Sequence, residues 1–161
     1  MQDVRFWSGE PCFDIAHLAH VELLTPALDE SVRFFVDILG MTVSARRGNS
    51  VYLRGWDDYA HHTLKLTAGP VAAMEHFAFR TSSPEALERR VAALERSGLG
   101  LGWIEGDEGH GPAYRFRTPD GHIVEVLWEV DWYEPTPETR PALKNQASRF
   151  PARGCNVRRL D

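Results

Sequence analysis

Three side chains in this sequence sit where their neighbours argue against them. His20 lies in the apolar run 15–24 (IAHLAHVELL), His76 in 74–81 (MEHFAFRT) and Glu125 in 122–130 (HIVEVLWEV). An ionised carboxylate inside a buried strand needs a cation, a strong donor or a metal to offset its desolvation. Two imidazoles and a carboxylate, each on a separate strand, could form the 2-His-1-carboxylate face that binds divalent iron or manganese and leaves positions open for substrate and dioxygen. Taken singly, each histidine reads more readily as a core or surface residue. Glu125 likewise reads as the partner of a buried arginine such as Arg80, which shares the strand face of His76.

The elements that must position these residues come in two matching sets. Strand 15–24 leads into a helix begun by Thr25 as N-cap and Pro26 at the first helical position, with Asp29 and Glu30 in the first turn. Leu28, Val32, Phe35, Val36 and Leu39 form its apolar stripe, Gly40 stops it, and short strands follow at 41–45, 51–54 and 61–67. The pattern then recurs, because His76 and Thr81 repeat the step from His20 to Thr25. Ser82 and Glu85 are spaced as a capping box for a second helix. Leu87, Val91 and Leu94 face inward, Gly98 ends the helix, and strands follow at 102–105, 113–117 and 122–130, the last entered through the turn Pro119-Asp120-Gly121. Two βαβββ units offset by 56 residues are an internal duplication.

This pattern predicts an α+β fold in which two βαβββ repeats (15–70 and 72–130) form one domain, 15–133, with mixed sheets curled around a central cleft and helices outside. Residues 1–14 read as an N-terminal arm that packs Phe6 and Trp7 on something. Residues 134–161, with Pro135, Pro137, Pro141 and Pro151, read as a linker-like tail running into the start of a strand, as if toward a missing second domain.

The chain has 161 residues, 43% hydrophobic and 25% charged, enough for one globular domain. A net charge of -5 without a basic block argues against a nucleic-acid surface and for small ligands. No apolar run is long enough to span a membrane, and no charged-then-apolar leader follows Met1, so neither membrane nor secretion is expected. Cys12 and Cys155 alone make neither a disulfide framework nor a cysteine zinc site, which fits a reducing cytoplasm.

The duplicated βαβββ unit, with a histidine on the first strand of each copy and Pro-Asp-Gly-His-x-x-Glu on the last, resembles the vicinal oxygen chelate superfamily. Within it, residues 13–133 are similar to type I extradiol ring-cleaving dioxygenases of the catechol or dihydroxybiphenyl kind. The segment 48–56 (GNSVYLRGW) with His61-His62-Thr63-Leu64-Lys65-Leu66 is especially similar to their amino-terminal module. The resemblance implies an Fe(II) or Mn(II) cofactor held by His20, His76 and Glu125, with a small aromatic diol and dioxygen as substrates. It implies that His62 handles protons near dioxygen and that His110 contacts the diol oxygens. It also implies packing against a second module or homo-oligomerisation.

Two positions depart from related chemistries. Arg115 stands where the family's catalytic modules place a tyrosine, with Tyr114 beside it on the opposite face. Aligning His62 with His122 sets Lys65 opposite Glu125, so the fourth, carboxylate ligand of a glyoxalase-type lyase is absent and three ligands with open positions fit oxygen activation better.

Plainer readings stand beside these. His62 reads as a strand-end residue next to His61, Gly109-His110-Gly111 as a flexible turn, and Trp56, Phe79, Trp103 and Trp128 as core aromatics. The charges from Glu85 to Arg96 read as a solvated helix face. A metal-free structural module and a metal-free small-molecule binding protein of the drug-sequestering type remain the alternatives to an enzyme.

Overall fold

The computed structural model describes residues 13–56 and 58–133. The expected arm, apart from Phe13 and Asp14, and the whole expected tail lie outside the described residues. The elements run in order β1 (Ile15–Thr25), α1 (Leu28–Arg33), a π-helical turn (Phe34–Ile38), β2 (Thr42–Arg47), β3 (Ser50–Arg54), β4 (Leu64–Ala68), β5 (Ala73–Thr81), α2 (Pro84–Ser97), β6 (Gly100–Ile104), β7 (Ala113–Arg117) and β8 (Ile123–Leu127). Each repeat is therefore βαβββ, as the duplication predicts.

The strands form one eight-stranded mixed sheet in the order β2-β3-β4-β1-β5-β8-β7-β6. The two expected sheets are joined at their first strands, because β1 pairs antiparallel with β5. Each first strand also pairs in parallel with the last strand of its own repeat. This register makes the duplication exact at the site: Glu22 lies opposite Lys65 in one repeat, and Ala78 opposite Glu125 in the other. Lys65 is thus the repeat equivalent of Glu125.

Strand alternation separates two faces. On the helix side of the first repeat, Val51, Leu53, Leu64 and Leu66 pack with Val32 and Met41, joined by Leu23, Leu28, Phe35, Val36 and Val43. In the second repeat Leu87 and Val91 of α2 meet Tyr114 and Val126, with Phe79 and Phe116 beside them. Each such side chain withdrawn from water contributes about 1.5–3 kcal/mol, so these clusters fix which face turns inward. The opposite face carries the polar groups, with small residues between them: Ala19, Ala78 and Ala113 pack with Leu127. A bulge between Leu18 and His20 breaks the simple alternation in β1.

Several local expectations are corrected. Thr25 is not the N-cap of α1. Ala27 holds that position without a side-chain cap, while Thr25 Oγ1 accepts from the Ala27 amide and pairs with Ser31 Oγ. The helix expected through Leu39 widens into a π-helical turn after Arg33, with Leu39 N donating to Phe34 O. The cap of α2 is Ser83 rather than Ser82, its Oγ accepting from Ala86 N, with Pro84 at the first helical position. Gly98 does end α2, in the left-handed region at φ 73°.

The charged face of α2 is also not wholly solvated. Arg89 and Arg90 close on the buried Asp14 carboxylate at 2.6 and 2.8 Å, and the Arg89 hydrogen bond leads the forces that hold its pKa below the ordinary range. Trp103 is 53% exposed, not core. No helix among the described residues is long and apolar enough to cross a membrane.

Candidate metal centre

His20 on β1, His76 on β5 and Glu125 on β8 converge on the polar face of the sheet, all buried, with Glu125 at 0% exposure. The register explains the meeting. β5 is hydrogen-bonded to both β1 and β8, and alternation turns His20, His76 and Glu125 to the same side. His20 Nε2 lies 3.1 Å from His76 Nε2, and Glu125 Oε2 lies 3.9 and 3.5 Å from those two nitrogens. A point equidistant from the three atoms is about 2 Å from each, the bond length of a small divalent cation to nitrogen or oxygen. Glu125 Oε2 is buried and accepts no hydrogen bond. Such an atom is costly unless something of positive charge faces it. On these observations the residues present fit a divalent metal ion.

The electrostatics agree. Burial, reinforced by the neighbouring His62, His110 and His76, drives the His20 pKa well below its ordinary value, so the ring is neutral and its nitrogens are available as ligands. The other oxygen of Glu125, Oε1, accepts from Arg115 Nε at 2.6 Å. The expectation that Arg80 would be the cation partner of Glu125 is therefore corrected. Arg80 instead donates from Nε to Trp128 O and lies over the rings of Trp128 and Trp132, 4.6 and 4.9 Å from their centroids. Tyr114, as expected, turns to the helix side.

Both further histidines lie against this group. His62, just ahead of β4, is buried, its ring 5.0 Å from His20 and 4.9 Å from Tyr52. Burial, then His110 and His61, brings its pKa down to about 3. His110 stacks on His20 at 5.1 Å, with its Nδ1 2.8 Å from Gly111 O. The loop that carries it is closely packed where a flexible turn is the plain expectation. Gly109 adopts φ +83°, and a Cβ there would come 2.6 Å from the His61 ring. A cavity of about 200 Å³ beside the three converging residues is lined by His76, Ile104, Asp107, His110, Arg115 and Glu125.

Sequence reasoning missed the other half of the cleft. Lys65 Nζ lies 3.3 Å from Glu22 Oε1 and donates to Asp107 Oδ2 at 2.5 Å, while Tyr52 donates to Asp107 Oδ1 at 2.8 Å. Thr67 donates to Glu22 Oε1, and His76 Nδ1 stands 3.1 Å from Glu22 Oε2, within ion-pair distance though not aligned as a hydrogen bond. Burial works to raise the Glu22 and Asp107 carboxyls. The donors around them, with Lys65, outweigh it and bring both to about 2. Burial, then the hydrogen bond to Asp107, pushes the Tyr52 pKa up. One signal was present in the sequence: Glu22 and Lys65 interrupt their strands as Glu125 does.

Residues 17–126 match the model of the Glyoxalase/Bleomycin resistance protein/Dioxygenase superfamily. The chain is 59% identical over 152 residues to a metapyrocatechase of Geobacillus stearothermophilus, covering 94% of this chain and 46% of that protein. It is 41% identical to a manganese-dependent 2,3-dihydroxybiphenyl 1,2-dioxygenase of Geobacillus genomosp. 3, covering 92% of this chain and 47% of the relative. Among solved structures, an extradiol ring-cleaving dioxygenase from B. fuscum superposes with a TM-score of 0.72 at 36% identity, over 77% of this chain and 35% of that one. The chain spans about half the length of the curated relatives it matches.

Proposed function

Because the chain belongs to the Glyoxalase/Bleomycin resistance protein/Dioxygenase superfamily, we propose that it is a module of an extradiol ring-cleaving dioxygenase and that His20, His76 and Glu125 hold its Fe(II) or Mn(II). The observation that carries this reading is Glu125 Oε2, buried without a hydrogen bond and facing two imidazole Nε2 atoms. The bound metal supplies Lewis acidity and a common point at which a catechol-type diol and dioxygen meet.

The remaining work falls to the chain's own residues. The cavity beside Glu125 takes the aromatic ring, with Ile104 as apolar wall and His110 at its edge. His62, its ring 5.0 Å from His20 and 6.4 Å from His110, is the residue placed to handle a proton beside the bound diol and dioxygen. Its Nδ1 faces His61 Nδ1 at 3.3 Å, so its Nε2 is the ring nitrogen not engaged by His61. His110 donates from Nδ1 to Gly111 O, so its Nε2 carries the lone pair that contacts a diol hydroxyl.

In the same reading residues 15–133 are one module, with 1–14 an arm and 134–161 a connecting segment. The partners are a small aromatic diol, dioxygen and a second module or second copy of the chain, in the cytoplasm. The relatives, about twice as long, support the second module.

A specific observation favours a second reading. Arg115 Nε already stands 2.6 Å from Glu125 Oε1, so a guanidinium could serve as the carboxylate's counter-charge in a metal-free module whose role is structural or small-molecule binding. Anaerobic loading with ferrous iron or manganese, followed by catechol and air, separates the two. Yellow ring-cleavage product from the wild-type chain, lost in His76→Ala, supports the dioxygenase. Absence of metal from both proteins supports the metal-free module.

A further inference from the structure

We propose that Glu22 and Lys65 are positioning residues for His76, so that the Glu22–Lys65 half of the cleft acts as the outer shell of the metal centre formed by His20, His76 and Glu125. The proposal rests on the reading of His20, His76 and Glu125 as ligands. It starts from the register. Glu22 pairs with Lys65 across β1–β4 and with His76 across β1–β5, so the three lie on one rung of the sheet.

An imidazole can hold a cation through Nε2 only when its proton sits on Nδ1, and a carboxylate at Nδ1 fixes that tautomer and the ring's orientation. Glu22 Oε2 lies 3.1 Å from His76 Nδ1, near enough for its charge to draw the proton to that nitrogen though not aligned as a hydrogen bond, while His76 Nε2 faces His20 Nε2 and Glu125 Oε2. Glu22 is itself held, since its Oε1 accepts from Thr67 Oγ1 at 2.5 Å and lies 3.3 Å from Lys65 Nζ. Asp107 anchors Lys65 from the far side, and Tyr52 anchors Asp107. The position that is a carboxylate in the second repeat is a lysine in the first, and that lysine reaches His76 through Glu22. In the metal-free protein this tautomer makes His20 Nε2 the donor to His76 Nε2 across their 3.1 Å contact.

The test compares the wild-type chain with Glu22→Gln and Glu22→Leu. Long-range proton–nitrogen spectra of the histidine rings in metal-free protein, with His76 assigned by its loss in His76→Gln, report the tautomer. Chelator competition reports the Mn(II) dissociation constant. The expected result is a His76 proton on Nδ1 in the wild type and in Glu22→Gln, whose amide oxygen still accepts, and loss of that preference in Glu22→Leu. Manganese affinity should fall about 10- to 100-fold in Glu22→Leu and recover most of that loss in Glu22→Gln. A wild-type His76 protonated on Nε2, or Glu22→Leu binding manganese as the wild type does, overturns the proposal. Should the wild-type chain take up no manganese, the ligand reading fails. The tautomer spectra still decide the positioning, because an Nδ1 proton that survives Glu22→Leu contradicts it.

Discussion

The two halves of the cleft share a fold and a register yet differ in how their charges are satisfied. In one half, Lys65 of the first repeat stands between Glu22 and Asp107, the latter reaching over from the β6–β7 loop of the second repeat, and Tyr52 and Thr67 supply further donors. In the other, Arg115 satisfies one oxygen of Glu125 and leaves the second facing His76 and, from β1 of the first repeat, His20. A half in which Lys65 neutralises two carboxylates holds the structure together. A half that keeps one buried oxygen and two imidazole nitrogens aimed at a common point is prepared for a cation. The duplication supplied equivalent rungs, and the exchange of Lys65 for Glu125 at one position separates their roles.

The largest expected effect breaks the second half. His76→Ala should weaken manganese or iron binding by at least about 100-fold, more than loss of an outer-shell residue, because a direct ligand is gone; equilibrium dialysis with metal analysis measures it. Next is Arg115→Met, which leaves a fully buried carboxylate without its cation. Metal-free protein should lose about 3 kcal/mol in denaturant unfolding, the low end for a broken buried pair because Arg115 is partly exposed. Added manganese should restore part of that loss.

A smaller effect sharpens the first half. Lys65→Met strands Glu22 and Asp107 together and should cost about 2 kcal/mol by the same unfolding assay. The smallest is a pH effect. The Asp107 carboxyl sits at about 2 against an ordinary 3.8, so its stabilisation is fully present above the ordinary value and is lost as pH falls toward 2. Screening at this partly exposed group reduces the contribution to about 1 kcal/mol. Asp107→Asn should remove that part of the acid dependence, as read from unfolding midpoints between pH 5 and 2.

Much of this was legible in sequence because it depends on strand period and repeat spacing. His20, His76 and Glu125 each interrupt an apolar strand, and the duplication fixes their strands side by side, so their meeting needs no loop geometry. The repeat alignment also set Lys65 against Glu125, as the register does. The partner of Glu125 was not legible in the same way. Arg80 and Arg115 both share its face, and the choice fell to Arg115 because it is directly opposite on β7 while Arg80 is taken up by Trp128 and Trp132. Asp107 and His110 depend on how the loop between β6 and β7 lies over the cleft, which residue type does not encode. The burial of Asp14 by Arg89 and Arg90 joins residues 75 or more apart, and helix periodicity sees only a charged face.

Glu125, His20 and His76 are either a working metal centre or an ion-paired relic of one. Titration of Mn(II) into metal-free protein, followed by the paramagnetic resonance of free manganese, separates the two most directly in the wild type and in Glu125→Gln. One manganese should bind per wild-type chain and none to Glu125→Gln. No uptake by the wild type, or equal uptake by both proteins, would contradict the metal centre.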